Sequence, residues 1–133
     1  MSYGYPTVRN FYIDQTEPYL WVEAISSRNI SKVLELYLPT AVLVPTLNAD
    51  LLKGREQLSQ YFHRLLVKDG FRAELQGVVP QRAGKVAAFS GAYTFRWTEN
   101  GGPKVLPARY TFVVVPTRLG ARILTHHSSE VPQ

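Results

Sequence analysis

The period of the hydrophobic pattern changes once along the chain, at Gly70. Before that point apolar residues recur at helical spacing. Asp14-Gln15-Thr16-Glu17-Pro18 offers N-cap side chains and a proline suited to a first helical turn. Trp21, Val22 and Ile25 continue that helix until Ser26-Ser27-Arg28-Asn29 breaks it. A short second helix is predicted over Ser31 to Tyr37 and ends at Pro39, and Ala41 to Val44 forms a short strand closed by Pro45. The clearest helix opens at Gly54-Arg55-Glu56. Its apolar stripe, Leu58, Tyr61, Phe62, Leu65 and Leu66, has the i, i+3, i+4, i+7, i+8 spacing of one helix face, and Asp69-Gly70 stops it.

After Gly70 the pattern is that of strands. Phe71 to Val79, Val86 to Trp97, Lys104 to Val115 and Ala121 to Ser129 are separated by short turns at Gly84, Asn100-Gly101 and Gly120. Three helices followed by an antiparallel meander make an α+β domain, with the helices on one face of a curved sheet. The long second strand splits its faces sharply. Ala87, Phe89, Gly91, Tyr93, Phe95 and Trp97 alternate with Val86, Ala88, Ser90, Ala92, Thr94 and Arg96. Small side chains leave space and exposed aromatics invite a partner. The expectation is therefore a pocket beneath the helices lined by the small face. The aromatic face, with Phe89, Phe95, Trp97 and Phe112, is then the outer surface that pairs two subunits.

Composition narrows the classes. A chain of 133 residues with no cysteine has one domain, no disulfide framework, no thiolate metal site and no cysteine nucleophile. Residues 1–13 read as an extended arm. They have neither a basic start nor an apolar stretch, and no run approaches the length of a membrane span, so the expected place is the cytoplasm, with no membrane partner. The net charge of +5 is unevenly spread. Eight basic and eight acidic residues lie up to Gln81, against seven basic and two acidic beyond it. Those later charges are scattered over strands and turns with no nucleic-acid-reading motif, so an anionic small molecule is the expected counterpart and nucleic acid is not.

Specific segments resemble a known family. Leu36-Tyr37-Leu38-Pro39-Thr40-Ala41-Val42-Leu43-Val44-Pro45-Thr46, Gly54-Arg55-Glu56 and Tyr61-Phe62 are similar to the front half of nuclear transport factor 2-like proteins. Gly91-Ala92-Tyr93-Thr94-Phe95, Ala108-Arg109-Tyr110-Thr111-Phe112 and His126-His127-Ser128-Ser129 with Pro132 resemble the branch that includes the calcium/calmodulin-dependent protein kinase II association domain and small SnoaL-like proteins. The resemblance implies a cone-shaped curved antiparallel sheet wrapped around three N-terminal helices, a deep cavity and sheet-to-sheet homodimers. It also places Ser128 and Thr111 where the kinase hub carries pocket arginines.

Candidate chemistry is sparse. The enzymes of this fold that resemble ketosteroid isomerase need a carboxylate where Pro45-Thr46 stands and an aspartate on a later strand, but the last aspartate is Asp69. The same lack removes an Asp-Arg-Asp epoxide-hydrolase arrangement. The reading leans away from an enzyme. What is left for catalysis is a SnoaL-like site using His126 or His127 with a tyrosine, Tyr93 or Tyr61. The two histidines are adjacent on a strand, so they face opposite ways and share no metal, and neither metal nor cofactor is expected. Arg109 lies mid-strand and needs a carboxylate such as Glu74 or Glu23, or an anionic ligand. Arg96 reads as a solvated strand end. The expected ligand cavity is lined by Arg109, Thr111, Thr94 and Ser128, roofed by Tyr37, Tyr61 and Trp21.

Overall fold

The computed structural model describes residues 16–132, so the predicted arm over 1–13 lies outside the described residues. Helix α1 spans Thr16–Ser27, α2 Ile30–Leu34 and α3 Arg55–Leu66. Strands β1 (Tyr37–Val44), β2 (Leu52–Lys53), β3 (Asp69–Ala83), β4 (Val86–Glu99), β5 (Gly102–Thr117) and β6 (Gly120–Glu130) form one sheet in the order β2-β1-β6-β5-β4-β3. It is a curved, unclosed sheet with the helices packed against one side, as the α+β reading expected.

Local signals placed most elements. The stripe Leu58, Tyr61, Phe62, Leu65 and Leu66 is the buried face of α3. Asn100 and Gly101 both take positive φ, 54° and 77°, and close a two-residue loop between Glu99 and Gly102 as an Asn-Gly pair does in a primed hairpin turn. The end of α1 is pinned to β3 because Ser26 Oγ donates to the Ala73 carbonyl and accepts the Ala73 N–H. Two features differ from the sequence reading. The second helix stops at Leu34, and β1 starts at Tyr37 and carries the exposed Pro39 within it. Moreover β1 pairs with β6 in parallel, between β6 and the two-residue β2, so the sheet has six strands where four long ones and a short one were expected.

The two faces of the sheet are the reverse of the expectation. The side under the helices is the aromatic one. Phe89, Phe112, His126 and Leu43 stand in one transverse row of paired residues and are all buried. Phe89, Phe95 and Phe112, expected on a dimer surface, are core residues, and Trp97 is half-buried at the core margin against Phe71, with Lys68 Nζ 5.4 Å from its ring centre. The physical reason is volume. A bent sheet facing short helices encloses more space than small side chains can fill at interior packing density, so the large rings must go inside. The small set faces outward. There Ser90 bonds Thr111 across strands at 3.0 Å, and Thr94 Oγ1 donates to Gln76 Oε1 at 2.7 Å. Arg96 pairs with Glu74 at 3.0 Å on the same outer side, an exposed ion pair worth under about 1 kcal/mol.

Candidate functional site

Beneath the helices a polar chain crosses the aromatic core. Trp21, on the buried face of α1, donates its indole N–H to Tyr37 Oη at 2.9 Å. Tyr37 Oη lies 2.7 Å from His126 Nδ1, and His126 Nε2 lies 3.0 Å from Tyr93 Oη. Tyr93 donates to Ser128 Oγ at 2.6 Å, and Ser128 Oγ meets Thr46 Oγ1 in a short hydrogen bond. Strand alternation aligns the groups. His126 and Ser128 are two residues apart on β6, and the register sets Ser128 beside Tyr110, which is opposite Gly91 on β4, two residues from Tyr93.

The proton arrangement follows from counting donors. A tyrosine hydroxyl has one proton, and that of Tyr93 goes to Ser128. Nε2 of His126 must therefore carry the ring proton and donate to Tyr93, which leaves Nδ1 as acceptor for the Tyr37 hydroxyl. The donors then point one way, from Trp21 through Tyr37, His126 and Tyr93 to Ser128, and either hydroxyl can donate between Ser128 and Thr46. This requires a neutral imidazole, and burial supplies one. Desolvation, with a smaller push from neighbouring His127, lowers the His126 pKa from 6.5 to about 3. Burial likewise raises the Tyr37 and Tyr93 hydroxyls well above their ordinary range, and Tyr61 to about 12.

Between Trp21, Tyr61, Tyr93, His126 and Ser128 there is a small space of about 10 Å³. That is a seat for one water molecule and too little for an organic ligand. His126 and Tyr93 do converge on a common spot, as a SnoaL-like site would ask. However, both imidazole nitrogens are already bonded within the core, so no lone pair is free to take a proton from a bound molecule.

The predicted site residues divide by face. Trp21, Tyr37, Tyr61, Tyr93, His126 and Ser128 come together inside. Arg109, Thr111 and Thr94, expected to line the same cavity, stand on the outer face, because the register that turns Tyr110 and Phe112 inward turns their neighbours out. Arg109, Thr111, His127 and Ser129 border a shallow outer depression of about 170 Å³. Glu74 pairs with Arg96, so Arg109 has no carboxylate partner among the described residues. Sequence reasoning overlooked Thr46 as the end of the polar chain. Its signal was a hydroxyl placed directly after an apolar strand and a buried proline. No group of three or more metal-binding side chains occurs among the described residues, and no helix among them is long and apolar enough to cross a membrane.

With this geometry in view, comparisons place the chain. The family model described as calcium/calmodulin-dependent protein kinase II association domain matches residues 16–132. A solved structure from Xanthomonas campestris, provisionally assigned to that same association domain, is similar at 32% identity and a TM-score of 0.82, over 90% of this chain and 86% of that one. A ketosteroid isomerase-like protein from Erwinia carotovora atroseptica (15% identity, TM-score 0.77, 96% of this chain and 100% of that one) shares the fold. So does a CaMKII hub from S. rosetta (16%, 0.75, 88% of this chain and 93% of that one). Other neighbours are described as NTF2-like and cystatin-like in fold. No curated protein matches the chain. A match over nearly all the described residues, on a sheet and helices of the same form, makes the chain a member of the calcium/calmodulin-dependent protein kinase II association domain family.

Proposed function

We propose that this protein is a self-association module, a homodimer whose subunits meet through the outer face of the sheet. The observation that carries the reading is the surface of β4 and β5 turned away from the helices. It is a broad area of small or apolar side chains, Ala88, Ser90, Ala92, Val113 and Val115, left uncovered within one chain. Ser90 and Thr111 bond each other, so only one hydroxyl proton of the pair is left to find a partner at the contact. Two copies of such a face can meet around a two-fold axis, each supplying the same patch. Arg109 and His127, which the closed interior does not use, then lie at this contact. Membership of an association-domain family and the hub among the structural neighbours support the reading.

Sedimentation at micromolar concentration is expected to give a particle of twice the 15.0 kDa chain mass. Ala92→Arg puts a second cation beside Arg109, its paired neighbour on β5, and is expected to give a folded monomer with an unchanged circular dichroism spectrum. A parent chain that sediments as a monomer, or an Ala92→Arg chain that stays dimeric, overturns the reading. A small anionic or aromatic ligand belongs to this function only with a seat larger than the space beside His126.

A further inference from the structure

A second open space borders Tyr37, at the opposite end of β1 from Thr46. It is a cleft of about 590 Å³ at the end of the molecule where the β5–β6 hairpin passes α2 and the start of α3. Three arginines border it from separate elements: Arg55 from the first turn of α3, Arg118 from the hairpin loop and Arg122 from the start of β6. Glu35 is the one acidic residue along its walls. No ion pair ties any of these four side chains to an opposite charge among the described residues. Arg122 donates one N–H to the adjacent Ala121 carbonyl at 2.9 Å, a contact that holds the side chain and leaves its other donors available. The rest of the wall is Tyr37, Leu38, Pro39 and Leu119, with Thr117, whose hydroxyl donates to the Gly120 carbonyl. Leu119 is 83% exposed at the hairpin tip, so it is an apolar surface waiting beside the cations.

We infer that this cleft binds a small organic anion, a carboxylate or phosphate head group attached to an apolar body. Like-charged guanidinium groups gathered in one depression repel one another, and an anion relieves that repulsion while accepting paired N–H donors. Lysines would neutralise it as point charges, whereas arginines favour the planar or tetrahedral oxygens of these two head groups. The volume lies within the usual range of small-molecule sites, and the apolar wall sets this site apart from a bare anion hole. Polymeric anions fit poorly, since the basic residues border one bounded depression and not an extended track. The inference stands independently of self-association, because none of these residues lies on the outer strip of β4 and β5.

Isothermal titration calorimetry of the full chain in low salt provides the test, with phenyl phosphate and phenylacetate as probes. Inorganic phosphate and phenol serve as the head group alone and the body alone. At least one probe is expected to bind saturably with a Kd below about 1 mM, and at least tenfold more tightly than either half. The tighter of the two assigns the head group. Arg118→Gln combined with Arg122→Gln is expected to weaken that probe at least tenfold while the sedimentation of the chain stays as in the parent. Arg55→Gln alone gives a smaller loss and keeps the result readable if the double variant folds poorly. Absence of saturable binding by both probes overturns the inference, as does inorganic phosphate or phenol binding as tightly as the better probe, or undiminished binding by a folded double variant. Loss of assembly in the double variant also overturns it, by assigning the cleft to a second copy of the chain.

Discussion

His126→Ala is expected to lower the unfolding free energy by about 4 kcal/mol at pH 7.5 in equilibrium urea denaturation. Two costs add. The ring is 1% exposed and stacked on Phe112 with centroids 4.1 Å apart, so truncation leaves a cavity of the kind that costs about 2–5 kcal/mol. The hydroxyl of Tyr37 also loses its acceptor and that of Tyr93 its donor, at about 1–3 kcal/mol for each buried group left unpaired. The same residue sets a pH dependence. Its pKa falls from 6.5 to about 3 on folding, so between those values the unfolded chain binds a proton that the native chain does not. Stability from this group is therefore complete above pH 6.5 and drains away as the pH falls towards 3. The parent is expected to be about 2 kcal/mol less stable at pH 5 than at pH 7.5. His126→Gln, milder in volume, should flatten that part of the profile. Equal parent stability at the two pH values would show that the imidazole is not held neutral by the core.

Gly91→Ala is expected to cost about 3 kcal/mol, a fall in melting temperature near 10 °C, or to prevent folding. A methyl group there would sit 2.1 Å from the Gly77 carbonyl oxygen and 2.9 Å from its carbon, contacts with backbone that no side-chain rotation relieves. The approach is built into the sheet. The pairing of β3 with β4 shifts register between Leu75 and Val78, and Gly77 takes a φ of 103° within that bulge. Its carbonyl thereby comes against β4 and accepts the Tyr110 hydroxyl at 2.9 Å. The added methyl lies 2.8 Å from that hydroxyl as well, so bulge and hydrogen bond are displaced together. Gly102→Ala is the control, since the nearest atom there is the Glu99 carbonyl oxygen at 4.0 Å. Equal melting temperatures for the two variants would refute the account.

What the sequence made legible was local. The α3 stripe, the Asn100-Gly101 turn and the order of helices and strands follow from spacing and turn chemistry, which act over a few residues. Alternation also divided β4 correctly into two sets. Which set lies inside was not legible, because it depends on the curvature of the sheet and on the side the helices take. That choice moved Phe89, Phe95 and Phe112 into the core and Arg109, Thr111 and Thr94 out of the cavity. The choice between His126 and His127 was hidden for a related reason. The β5–β6 register shifts between Val113 and Val114, so simple counting from the turn at Thr117–Gly120 puts His126 on the wrong face. The cleft joins Arg55 to Arg118 and Arg122 across about half of the chain, and no spacing rule reaches that far.

The parallel contact between β1 and β6 has a consequence in time. Antiparallel β3 to β6 can zip up hairpin by hairpin, each closing only a short loop. The strand starting at Tyr37 must instead wait for a partner that begins at Gly120, and closing so long a loop is entropically slow. On a translating ribosome β1 emerges ahead of the other strands and has only β2 to pair with until β6 arrives. Until then Tyr37 and Leu43 have no neighbour on β6, and the imidazole of His126 keeps one nitrogen open to solvent. The step that brings β1 beside β6 is therefore also the step that gives His126 Nδ1 its buried partner, Tyr37.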